Sequence, residues 1–157
     1  LPKPMHPEVG ILVNEKADSE SRELAADEIY QTFKAEFLQK NDPLRLLSYE
    51  TQKIVGEGDD VTCSVSIELD GEARQIEGQG NGPINAFVNA LENENLKDFK
   101  LTDYRQHSIG GGSATESAAF VQLQTKAGRV AYGCGIDSSI EKSGIMALVS
   151  AFNRTRS

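Results

Sequence analysis

Two histidines, two cysteines and a repeated Gly-x-Gly are the groups in this sequence whose types carry chemistry, and their spacing sorts them. His6 and His107 stand about a hundred positions apart, in neither an HxH nor an HExxH arrangement, so no zinc site is offered. A triad drawn from Ser108, His107 and Asp103 lacks the GxSxG turn that would expose a nucleophilic serine, and these side chains read as surface or hydrogen-bonding groups. Asp59 and Asp60 belong to a turn and solvate it. Cys63 and Cys134 fall on expected strands outside any CxxC and read as small, reduced core residues. No catalytic residue and no metal ligand is assigned.

What remains is Gly78-x-Gly80 and Gly133-x-Gly135, each closing an alternating strand and opening an amphipathic helix. Backbone N–H groups at such a helix start, with the helix dipole behind them, suit a carboxylate or phosphate. Neither copy is a Rossmann or P-loop match. The plainer reading is that glycine lets the chain turn sharply or approach its neighbour closely. The third candidate is HSIGGGSAT, a flexible connection beside Tyr104. Its short flanking side chains, Ser108, Thr115 and Ser117, would wall a compact pocket.

The elements that must hold these groups occur twice. Leu46, Tyr49, Gly78 and Gly80 recur as Leu101, Tyr104, Gly133 and Gly135, each 55 positions later. Two copies are too few for a solenoid and point to a duplicated unit packed about a pseudo-twofold axis. In the first copy, Leu44 to Ile54 reads as a strand. Val61, Cys63, Val65, Ile67 and Leu69 alternate with polar residues, Asp70-Gly71 marks a hairpin, and a return strand leads to a helix with Pro83 in its first turn. The second copy follows the same plan: strands over about 98–108, 116–124 and 129–136, then a helix over 139–153 that starts after six extra residues. The fold class is α+β, two pseudo-symmetric βββα units of about 44–95 and 98–157 that together form one domain, 44–157. Residues 1–43 form a linker subdomain. EVGILVNEKAD is expected as a short strand and turn, and a helix over about 25–39 carries an apolar stripe of Ile29, Phe33 and Phe37.

Composition bounds the function. A chain of 157 residues with 38% apolar and 25% charged residues is an ordinary globule with a sizeable core. A net charge of −8 and a pI near 4.8 disfavour nucleic acid and anionic membranes as partners. No apolar run reaches the roughly 20 residues that span a bilayer, the N-terminus is no signal peptide, and the opening reads as mid-protein linker in a cytoplasmic protein.

GQGNGPINAFVNAL, LTDYRQHS, the Gly-rich stretch and GCGIDSSIEKSGIMALVSAFNR together resemble the C-terminal regulatory domain of 2-isopropylmalate synthases, over about 44–156. LPKPMHPEVGILV and the helix ending KAEFL are similar to the linker subdomain that precedes it. The resemblance implies a homodimeric sensor of L-leucine joined to a TIM barrel. That barrel holds a divalent metal and condenses acetyl-CoA with 2-oxoisovalerate; this chain lacks it and is expected to hold no cofactor and no activity. Carried over by motif, the ligand-binding residues are Gly80, Gly82, Ile84, Asn85, Leu101, Tyr104, Ser108, Thr115, Ser117 and Ile136. Ser113-Ala114-Thr115-Glu116-Ser117 and Asn85 depart from the family's alanine-rich pattern and make this pocket more polar. Related sensors on citramalate synthases take isoleucine, and a purely structural dimerisation module is the further alternative.

Overall fold

The computed structural model describes residues 1–56, 58, 60–110 and 115–156. Asp59 and the middle of the Gly-rich connection lie outside them. The order is a 3-10 turn (Lys3–Met5), α1 (His6–Glu20), α2 (Ala26–Phe37), β1 (Leu44–Lys53), β2 (Val61–Leu69), β3 (Glu72–Gly80), α3 (Pro83–Asn93), β4 (Phe99–Ile109), β5 (Glu116–Thr125), β6 (Val130–Asp137) and α4 (Ile140–Thr155). Two antiparallel sheets result, β1-β2-β3 and β4-β5-β6, each followed by its helix, as the two-unit reading expects. No described helix is long and apolar enough to cross a membrane.

The duplication extends to irregularities. β1 bulges between Leu46 and Ser48 and β4 between Leu101 and Asp103, again 55 positions apart. Each bulge re-aims the side chains on either side of it. The Gly-x-Gly pairs now have a physical cause. A Cβ on Gly78 would lie 2.7 Å from Ala90 Cα, and one on Gly133 would lie 2.8 Å from Ala151 Cα. Gly80 and Gly135 press in the same way against the backbones of Ala86 and Ala147. The glycines therefore sit within strands β3 and β6, where helix backbone lies directly on the sheet. Their helix partners are 61 positions apart, the lag of the strands lengthened by the six extra residues.

One core joins the units. It takes Cys63, Val65 and Ile67 from the first sheet, Ala119, Val121 and Leu123 from the second, and the inner faces of α3 and α4. The expected helix stripes, Ala86, Phe87, Ala90 and Leu91 on α3 and Ile145, Leu148, Val149 and Phe152 on α4, are all buried.

The N-terminal segment corrects the sequence reading. EVGILVNEKAD forms α1, a helix, instead of a strand and turn. Pro7 stands in its first turn and Glu8 faces its dipole. Val9, Leu12 and Val13 recur at i, i+3 and i+4, and Val9 and Leu12 pack on a second cluster. That cluster joins Met5, Phe33 and Phe37 to Ala118, Phe120, Tyr132 and Cys134 on the second sheet's outer face. The α2 stripe is only partly inward. Phe33 and Phe37 stack at 5.3 Å, whereas Ile29 and Tyr30 are 36% and 50% exposed.

Candidate functional site

Tyr49 and Tyr104 hold equivalent places beside the two bulges, and each reaches the start of the other unit's helix. Tyr49 shares a hydrogen bond with Ser139, the N-cap of α4. Tyr104 meets Ile84, the second residue of α3, above Gly144 of α4: a Cβ on Gly144 would fall 2.8 Å from both Ile84 Cδ1 and Tyr104 Oη. A glycine inside a helix costs about 1 kcal/mol against alanine; here it gives Tyr104 and Ile84 their space. Burial raises both tyrosine pKa values, so both phenols are neutral hydrogen-bonding groups near pH 7.

The helix starts differ. Ser139 Oγ accepts from the Lys142 N–H and caps α4. α3 begins at Gly82 without a side-chain cap, and the first helical N–H groups of any helix have no partner within it. The start of α3 thus presents backbone donors and positive helix dipole beside Ile84 and Tyr104, and Leu101, partly exposed, lies further along the Tyr104 strand. That combination suits a small molecule with a carboxylate and an aliphatic chain.

The remaining expected residues divide. Asn85 is turned back: its Oδ1 accepts from the Asn81 N–H at 3.3 Å and from Asn89 Nδ2 at 3.4 Å. It also fills the space over Gly80, where a side chain would collide with it. Gly82 is extended, with nothing within 4 Å of an added Cβ. Ser108 pairs with Ser117 in register, on the face that carries Tyr104. The pair lies four residues along the strand, roughly 13 Å away. Gln106 intervenes, its Nε2 donating to Ile140 O at 2.6 Å and Ser143 Oγ at 3.1 Å. Thr115 is exposed at the start of the same edge.

Ile136 is not brought to this place. It packs with the linker cluster on the sheet's other face, and its N–H donates to Gln39 Oε1 at 3.1 Å. The residues missed by sequence reasoning are Gly144, whose signal was a glycine within an amphipathic helix, and Gln106.

Strand parity separates the serine of the candidate triad from its histidine. His107 packs edge-to-face on Phe120 at 6.1 Å, on the linker side, while Ser108 faces α4. Asp103 accepts from the Tyr132 hydroxyl at 2.5 Å. Among the described residues, no three His, Cys, Asp or Glu side chains cluster to hold a metal. Both cysteines are free and buried, with Cys63 pushed up to about 11 and Cys134 to about 12 by burial.

Comparison with known proteins shows the family of the chain. Residues 23–156 match the family described as LeuA allosteric (dimerisation) domain. The chain belongs to that family. Across 99% of its length it is 36% identical to a 2-isopropylmalate synthase of Clostridium acetobutylicum, of which it covers 28%. It is 33% identical to the synthases of Corynebacterium efficiens and Pseudomonas entomophila, covering 26% and 27% of them. The chain thus spans under a third of the length of these curated relatives.

Within this LeuA-type domain the closing SAFNR stretch secures the linker. Ser150 Oγ donates to Phe37 O at 2.7 Å, and Asn153 Nδ2 donates to Lys40 O and Leu44 O, both at 2.8 Å. Arg154 donates to Glu8 at 2.6 Å and to Glu36 at 3.0 Å, and stacks 3.9 Å over the Phe37 ring. With only 13% of its side chain exposed, these charge-assisted contacts join α1 and α2 to α4.

Proposed function

We propose that this chain is the feedback-regulatory domain of a cytoplasmic 2-isopropylmalate synthase and that it binds L-leucine as a homodimer. Its parent carries a metal-dependent barrel that condenses acetyl-CoA with 2-oxoisovalerate. The observation that carries the reading is the meeting of Ile84 and Tyr104 over Gly144, beside the start of α3, which has no side-chain cap. Backbone N–H groups there take the carboxylate, Ile84 and Leu101 enclose the branched side chain, and the Tyr104 hydroxyl supplies a polar contact. Gly80 and Gly82 shape the approach. Ser108, Thr115 and Ser117 stand at the far end of the same sheet face. Leucine ties the two units together at this point. The Ser150, Asn153 and Arg154 contacts pass the restraint to the linker, with a coupling of about 1–3 kcal/mol, the usual range for allosteric pairs.

Calorimetric titration of the chain with leucine and with isoleucine tests this. Saturable binding that prefers leucine, and that Gly144→Leu abolishes while thermal unfolding stays cooperative, is the expected result. No heat at millimolar leucine favours a purely structural dimerisation module. Preference for isoleucine favours a citramalate synthase sensor. Any turnover of acetyl-CoA by the chain alone would overturn the assignment.

A further inference from the structure

The place beside Tyr104 offers N–H donors and apolar surface, and a ligand that carries an ammonium needs an acceptor there as well. Gln106 supplies one. It lies two residues beyond Tyr104 on β4, about 7 Å along the strand and on the same face. Tyr104 reaches Gly144, and Gln106 reaches the turn of α4 just before it: its Nε2 donates to Ile140 O at 2.6 Å and to Ser143 Oγ at 3.1 Å.

These two bonds fix which way the amide faces. A backbone carbonyl only accepts, so the nitrogen must be the atom turned to Ile140 O. Ser143 Oγ donates its own proton to the same carbonyl, at 2.8 Å, and accepts from Gln106. Both Nε2 hydrogens are therefore committed to α4, and Oε1 is held on the other side of the amide. No described group donates to Oε1, and it is open to solvent.

The nearby carboxylates are committed or turned elsewhere. Asp103 faces the opposite side of the sheet, where it accepts from the Tyr132 hydroxyl. Asp137 accepts from the Ser139 N–H and pairs with Lys142. Glu141 carries a buried oxygen without a partner among the described residues. Its charge, however, acts on Tyr49 and Cys63 of the first sheet, and that oxygen is closed to solvent. Glu141 is thus the rival acceptor.

We propose that Gln106 Oε1 accepts the ammonium of the bound amino acid, and so makes the site selective for α-amino acids over acids of the same skeleton that lack the amine. The inference rests on the proposed leucine site. Carboxylate and ammonium share one carbon, so a carboxylate seated at the start of α3 beside Tyr104 brings the ammonium to the neighbouring position on β4.

Leucine and 4-methylpentanoate, its skeleton without the amine, are titrated by calorimetry into the wild-type chain, Gln106→Met, Gln106→Glu and Glu141→Gln, each checked for cooperative unfolding. The wild type should prefer leucine. Gln106→Met should weaken leucine about tenfold, the loss of one hydrogen bond to a charged group, and leave 4-methylpentanoate within about twofold. A residue that merely positions Tyr104 would weaken both ligands alike, and that result overturns the proposal. Gln106→Glu keeps its oxygens but cannot donate to Ile140 O, so it should hold leucine within about threefold of wild type. Where 4-methylpentanoate binds too weakly to titrate, this variant decides: a loss equal to that of Gln106→Met overturns the proposal. So does an amine preference that disappears in Glu141→Gln and survives in Gln106→Met. Absence of leucine binding by the wild-type chain fails the leucine reading and this inference with it; leucine binding that Gln106→Met leaves unchanged fails the inference alone.

Discussion

Replacing Asn153 by alanine tests whether the linker is held by the end of α4. The side chain is fully buried and satisfies three backbone groups: Nδ2 donates to Lys40 O and Leu44 O, and Oδ1 accepts from the Leu44 N–H, all at 2.8 Å. Truncation leaves one donor and two acceptors without partners. Lys40 is partly exposed, so water can reach its carbonyl; Leu44 is fully buried and its two groups stay dry. Each such orphan costs about 1–3 kcal/mol. The better helix propensity of alanine returns about 0.6 kcal/mol at most. The net loss is about 3 kcal/mol, a large share of the 5–15 kcal/mol typical of a whole domain. In urea, with a slope of about 2 kcal/mol per M for a chain of this size, the midpoint should fall by about 1.5 M at unchanged slope. In the parent enzyme the same substitution should uncouple leucine from activity more than it weakens leucine binding. A stability loss below about 1 kcal/mol would mean that the three bonds are replaceable, and would refute the clamp.

Gly133→Ala places a methyl group 2.5 Å from Ala147 O and 2.8 Å from Ala151 Cα, both helix backbone; it should cost about 3 kcal/mol in chemical denaturation, as overpacking does. Gly144→Ala meets only side-chain atoms of Ile84 and Tyr104. Its stability should change by less than about 1 kcal/mol, because the helix gain offsets the displacement, while leucine affinity falls; unchanged affinity contradicts the proposed site. Cys63 and Cys134, raised to about 11 and about 12 by burial, should resist alkylation at pH 8 in the native protein and react in urea; rapid native labelling of either contradicts the burial. The Arg22 guanidinium and the Ala25 N–H hold Glu28 near 2 instead of 4.5. A depressed carboxylate favours the folded form above its unfolded pKa, so the start of α2 should loosen as pH falls from about 4.5 towards 2. A side-chain carbon titration of Glu28 with its midpoint at 4.5 would show the pairing absent.

The sequence was explicit wherever a physical demand recurs in both units. A helix backbone laid on a strand excludes every side chain but hydrogen, so the glycines had to appear at one lag in both copies, and the two-unit α+β fold followed from them. Alternation in β2 and β5, and the apolar faces of α3 and α4, were legible because each faces one shared core. Strand parity also contained a warning that motif matching passed over. Gly135 and Ile136 are adjacent on β6 and must face opposite sides, so Ile136 faces the linker, away from Tyr104. α1 was misread because the five consecutive apolar and glycine residues 9–13 suggested a strand, while the i, i+3, i+4 spacing of Val9, Leu12 and Val13 found its partner only on the far sheet.

What tertiary structure alone decided is which helix start each tyrosine meets. Tyr104 is 20 positions from Ile84 and 40 from Gly144, and no local preference brings the three together. Packing of the two units does so, and the same packing seats Tyr49 at the start of α4. The six added residues give α4 an extra turn, so the two equivalent places differ: α3 starts without a side-chain cap, whereas Ser139 caps α4.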